Sequence, residues 1–108
     1  MIALVEDKKD DIAALCRRFS IQRLDLFGSA ATGAFDPETS DLDFVVDLGE
    51  YESGVARRYF AFADALEALF GRSVDLVTEP SISNPYFRAA VDRQRIRLYE
   101  ARDGQAAA

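Results

Sequence analysis

The chain has 108 residues, a hydrophobic fraction of 49% and a net charge of -6, which suits one domain with one core and excludes a disordered polymer. The acidic balance disfavours a general nucleic-acid binder, which needs a basic face. One cysteine and no histidine exclude a disulfide framework, a Cys/His zinc site and histidine acid–base catalysis, so carboxylates lead the candidates for chemistry.

Met1 to Val5 is a short apolar lead of unassigned state. From Asp7 the pattern becomes helical, with Ile12, Leu15, Cys16 and Phe19 on one face. Its acids come early and Arg17 and Arg18 late, as the helix dipole favours. Ile21 to Phe27 reads as a first strand, followed at once by Gly28 and Ser29. Glycine there permits a positive φ and a close backbone approach, and Ser29 can cap the next turn. Ala30 to Gly33 makes one helical turn, and Phe35 to Ser40 (FDPETS) is a loop by its Asp-Pro and polar content.

The next stretch, Asp41 to Leu48 (DLDFVVDL), has a strand's alternation. Leu42, Phe44, Val46 and Leu48 belong in the core, while Asp41, Asp43, Val45 and Asp47 share the other face. Residues two apart on a strand lie about 7 Å apart at Cα on one side, so Asp41 and Asp43 form a pair suited to a divalent ion. Asp47 reads as a solvated gatekeeper of an exposed strand. Gly49 to Gly54 is a turn with Ser53 as the expected N-cap. A long helix then runs to Phe70 with a stripe of Val55, Tyr59, Phe62, Leu66, Leu69 and Phe70. Phe60 lies off that stripe and is the candidate for a contact surface.

Ser73 to Thr78 is a third strand interrupted by Asp75, although aspartate disfavours strands. If this strand lies beside the second, Asp75 faces Asp41 and Asp43. Glu79 to Pro85 is a loop, Tyr86 to Gln94 a short helix burying Phe87, Ala90 and Val91, and Arg95 to Tyr99 an edge strand. Arg88, Arg93, Arg95 and Arg97 form a basic cluster, read as a soluble, edge-protecting surface rather than a phosphate or partner contact. The expected architecture is α+β: a small mixed sheet of about four strands (Ile21–Phe27, Leu42–Leu48, Ser73–Thr78, Arg95–Tyr99) with helices packed on it. Residues 1–108 make a single domain in which 103–108 are a frayed tail. No apolar run approaches the ~20 residues that cross a bilayer, and the N-terminus lacks a secretory core, so a cytoplasmic protein without a membrane partner is expected.

Gly28-Ser29 after a strand, Asp41-x-Asp43 opening the next and Asp75 on a third together resemble the nucleotidyltransferase superfamily with the polymerase-beta-like fold. Size and element order resemble its smallest branch, the minimal nucleotidyltransferase antitoxins that stand beside HEPN-domain toxins. The resemblance spans Ile21 to Tyr99. It implies that Gly28, Ser29 and Ser40 bind the nucleotide, with ATP as substrate. It implies that Asp41, Asp43 and Asp75 bind two Mg²⁺ ions, with Asp75 also assisting deprotonation of the attacking hydroxyl. Thr32 stands where relatives often carry arginine, and the loop from Ser29 to Asp41 is longer than usual. The activity implied is transfer of AMP from Mg-ATP to a hydroxyl, a tyrosine's, on a cognate HEPN toxin ribonuclease. The alternatives are a non-catalytic antitoxin that occludes its toxin, or transfer to a small molecule such as an antibiotic. Three clustered aspartates repel one another without cations, so a strained or partly protonated site is expected.

Overall fold

A computed structural model of the chain describes residues 2–101. The tail expected at 103–108 lies outside them. The apolar lead forms a single turn, α1 (Ala3–Glu6), and the first long helix, α2 (Lys9–Arg18), begins two residues later than the sequence pattern suggests. There follow β1 (Arg23–Phe27), the turn α3 (Ser29–Thr32), β2 (Leu42–Asp47), α4 (Val55–Phe70), β3 (Val74–Thr78), a 3-10 turn (Glu79–Ser81), α5 (Pro85–Gln94) and β4 (Ile96–Glu100). Ile21 is buried but precedes the strand that it was expected to open.

The four strands form one mixed sheet in the order β3-β2-β1-β4. The pairs β1/β2 and β1/β4 are antiparallel, whereas β2/β3 is parallel, with α4 as the crossover. β4 is an edge strand, as its pattern predicts. At the opposite edge the Tyr59 hydroxyl donates to the Leu76 carbonyl and so satisfies a backbone acceptor of the outer strand.

The two faces of the sheet differ. On one, Leu24, Leu26, Leu42, Phe44, Val46, Leu76 and Leu98 pack against Ile12 and Cys16 of α2 and Phe62 and Leu66 of α4. Each of these large side chains contributes roughly 1.5–3 kcal/mol by leaving water. The other face carries a smaller cluster of Phe27, Val45, Ile82 and Val91, with Val77 against it. Val45 is therefore core and not part of a solvent face: β2 is one of two inner strands, and Ile82 and, from α5, Val91 cover its second face there. Phe87 departs from its expected burial. It is 42% exposed and sets its ring edge-on to Phe27 at 6.0 Å.

Two local expectations change. Ser53 does not cap α4; Gly54, at φ 91°, occupies the cap, a left-handed conformation that glycine adopts without strain. Instead, Asn84 is the side-chain N-cap of α5, accepting from the Tyr86 and Phe87 amides, with Pro85 at the first helical position.

Within the arginine cluster Arg93 is solvent-exposed as expected, but Arg88, Arg95 and Arg97 are engaged by carboxylates. Asp25 is 1% exposed and is held by Arg95 Nε at 2.7 Å and Arg97 Nε at 2.5 Å. Glu79 receives Arg95 at 2.6 Å, Arg88 at 2.7 Å and Arg23 at 2.8 Å. Asp47 also turns inward, half-buried, 3.8 Å from Arg23. Burial opposes ionisation of Glu79, but hydrogen bonds from Arg95, Arg88 and Arg23 hold it down to about 2. A carboxylate depressed in the folded state stabilises above its unfolded value, near 4.5, and loses that contribution as pH falls toward 2. Discounted for solvent screening, it is worth about 1–2 kcal/mol. Glu79→Gln should therefore lower the urea midpoint at pH 7, and the gap to wild type should shrink to about a quarter at about pH 2.5. A gap that persists unchanged at low pH would contradict the ion-pair origin.

Candidate active site

The site follows from register. Phe27 pairs with Asp43 across β1/β2, and Asp43 pairs with Asp75 across β2/β3. Paired residues point to the same face, so the two aspartates stand side by side on the face shared with α5. Gly28 comes immediately after Phe27, which puts the Gly-Ser turn at the same end of the sheet.

Gly28 takes φ 74° and ψ -156°, a backbone region that essentially only glycine enters. A Cβ built there would sit 2.2 Å from Asp43 Oδ2, so glycine is required twice over, by conformation and by space. The Asp43 carboxylate thus lies directly across the turn. Ser29 opens α3, and the Ala31 and Thr32 amides return to the Gly28 carbonyl at 3.0 and 3.1 Å. The Gly28 amide donates to Gln94 Oε1 at 3.1 Å, a partner from the end of α5.

Electrostatics mark the same place. Burial pushes Asp43 up to about 6, and the charge and hydrogen bond of Asp75 and the charge of Asp41 push in the same direction. The Tyr59 hydroxyl is raised too, by burial first and then by Asp75. Asp43 therefore holds a proton more tightly than an isolated carboxylate does. Asp41 is exposed just ahead of β2, Asp43 half-buried and Asp75 exposed. Among the described residues no three carboxylates close into a ready-made cage. The donor set nonetheless suits a hard divalent cation: oxygen ligands only, and a raised carboxyl beside a glycine cradle.

Ser40 directly precedes Asp41 and is engaged by its own loop. Its Oγ accepts from the Asp36 amide at 3.0 Å, closing the FDPETS loop on itself. Arg72 holds this loop from the other side, with its guanidinium donating to the Pro37 carbonyl and lying 4.9 Å from the Phe35 ring centroid. An apolar groove lies elsewhere. About 520 Å³ in volume, it follows the β3 edge and is lined by Tyr51, Val55, Tyr59, Phe60 and Val77 among others, but by none of the three aspartates. Phe60, 64% exposed, is one of its walls. Sequence periodicity carried no signal for Gln94, whose role depends on a contact 66 positions away.

A glycine turn closing one strand, with acidic residues facing it from the next two, is the arrangement of a nucleotidyl-transfer domain. Residues 12–100 match the family model of the nucleotidyltransferase domain. A protein of Methanocaldococcus jannaschii assigned as a protein adenylyltransferase, MJ1379, is 33% identical over 73% of this chain and 78% of its own. A solved structure assigned as a minimal nucleotidyltransferase superposes with a TM-score of 0.71 at 33% identity, covering 85% of this chain and 90% of the other. A toxin–antitoxin complex with AMP-PNP gives 0.67 at 25% identity, covering 92% and 78%. This chain belongs to the minimal nucleotidyltransferase family.

Proposed function

We propose that the chain is an antitoxin adenylyltransferase of the cytoplasm, moving AMP from Mg-ATP to a tyrosine hydroxyl of a HEPN-type toxin ribonuclease and so neutralising it. The observation that carries this reading is the Asp43–Asp75 pair set against Gly28, with Asp43 raised to about 6. The solved relative assembled as a toxin–antitoxin pair with AMP-PNP supports the choice of nucleotide and partner.

In this reading Gly28, Ser29 and Ser40 hold the triphosphate. Asp41, Asp43 and Asp75 would hold two Mg²⁺ ions, which when bound neutralise the phosphate charge and activate the attacking oxygen. The acceptor hydroxyl attacks the α-phosphorus and the bond to the bridging oxygen of pyrophosphate breaks. The hydroxyl proton passes to Asp75 and pyrophosphate departs. The protein's contribution is mainly positioning and charge compensation. In this reading the acceptor hydroxyl comes from the partner.

The test is incubation with labelled ATP, Mg²⁺ and the HEPN-type protein of the adjacent reading frame. Wild type should label the partner, and Asp41→Asn with Asp43→Asn should abolish labelling while leaving the circular dichroism unchanged. Equal labelling by the double variant would exclude this site. Neutralisation of the toxin by the unlabelling variant would show occlusion instead.

A further inference from the structure

The end of α5 is pinned at two successive residues. Arg95, just beyond the helix, is fixed by the buried Asp25 carboxylate and by Glu79. Gln94, the last helical residue, accepts the Gly28 amide hydrogen at 3.1 Å. Asp25 and Gly28 lie three residues apart on the same strand and its exit turn. The ion pairs thus set the end of the helix over β1, and Gln94 transfers that placement to the one glycine against which Asp43 packs.

We propose that Gln94 is a positioning residue for adenylyl transfer, holding the Gly28 turn at the distance from Asp43 that in-line attack requires. The proposal rests on the adenylyltransferase reading above. The logic is one of constraint. Gly28 occupies a backbone region that a flexible chain leaves readily, and its carbonyl is already committed to the Ala31 and Thr32 amides. The remaining freedom is rotation about the peptide that carries its N–H. An acceptor anchored to a separate element removes that freedom. A small misplacement of the triphosphate relative to the carboxylates costs rate more than affinity, because only the transition state needs the exact alignment. The side-chain amide also leaves its Nε2 hydrogens uncommitted, since Gln94 takes part in no other side-chain bond among the described residues.

Two substitutions separate this role from simple packing. Gln94→Met keeps the length and removes the acceptor; Gln94→Glu keeps an acceptor and adds charge. In labelled-ATP kinetics with the HEPN-type partner, Q94M should lower kcat at least tenfold with KM for ATP within threefold of wild type. Q94E should keep kcat within threefold while its charge raises KM. In ¹⁵N-labelled protein without nucleotide, the Gly28 amide should shift upfield and exchange at least tenfold faster in Q94M but not in Q94E. Wild-type kcat in Q94M, or equal losses of kcat in both variants, would overturn the proposal and leave the activity standing. A wild type that transfers no AMP would remove the activity and the proposal together, and that failure is seen before any variant is made.

Discussion

Asp43→Asn should make the metal-free protein more stable while abolishing its activity. The folded-state carboxyl sits near 6 against an ordinary value of 3.8, because burial and then Asp75 and Asp41 disfavour its charge. A group raised on folding destabilises above its folded pKa, and the penalty fades as pH falls through 6 toward 3.8. Removing the charge at pH 7.5 in EDTA should therefore add about 1–2 kcal/mol after allowance for solvent screening, or roughly 5–10 °C in Tm. The gain should shrink by about half at pH 5 and vanish below about pH 4. Added Mg²⁺ should narrow it from the other side by stabilising wild type alone. AMP transfer should drop by about 100-fold or more, since a ligand for the charge-compensating ion is lost. Thermal melts across pH, with and without Mg²⁺, read all of this. A less stable Asn variant in EDTA would mean that the acidic residues are not in mutual repulsion. Such opposition between stability and activity is what strain held at a functional site produces.

The second large effect lies in the ion-pair network. Asp25→Ala should cost about 3–5 kcal/mol, because the mostly buried Arg95 and the part-exposed Arg97 would both lose the buried carboxylate that they share. A domain of this size has about 5–15 kcal/mol in total, so the variant should be partly unfolded at 37 °C. Asp10→Ala, at the exposed start of α2, should stay within about 0.5 kcal/mol of wild type. Urea denaturation of the three proteins gives the comparison. A loss under about 1 kcal/mol at Asp25 would show that water, not the arginines, solvates its carboxylate.

The neighbouring residues explain how much of this was legible beforehand. All four strands were visible as alternation or as apolar runs between turn signals, because that periodicity is written locally. Gly28 stood out because its residue type follows directly from a backbone demand, and Asp75 because a charge inside a strand needs a reason. The register that joins Asp43 to Asp75 was only conditional on the two strands being neighbours. The solvent-facing reading of Asp47, Arg88, Arg95 and Arg97 failed for one cause: a charged residue in sequence looks the same whether it faces water or an opposite charge.

By itself, then, the amino-acid order determined what depends on near neighbours: the elements, their apolar faces, the strained glycine and the acidic residues available for chemistry. The tertiary structure decided what depends on distance along the chain. Asp25 and Arg95 are 70 positions apart, and Gly28 and Gln94 are 66 apart. Such contacts exist only once loop-closure entropy has been overcome by the whole core, and no local pattern records which partners then meet.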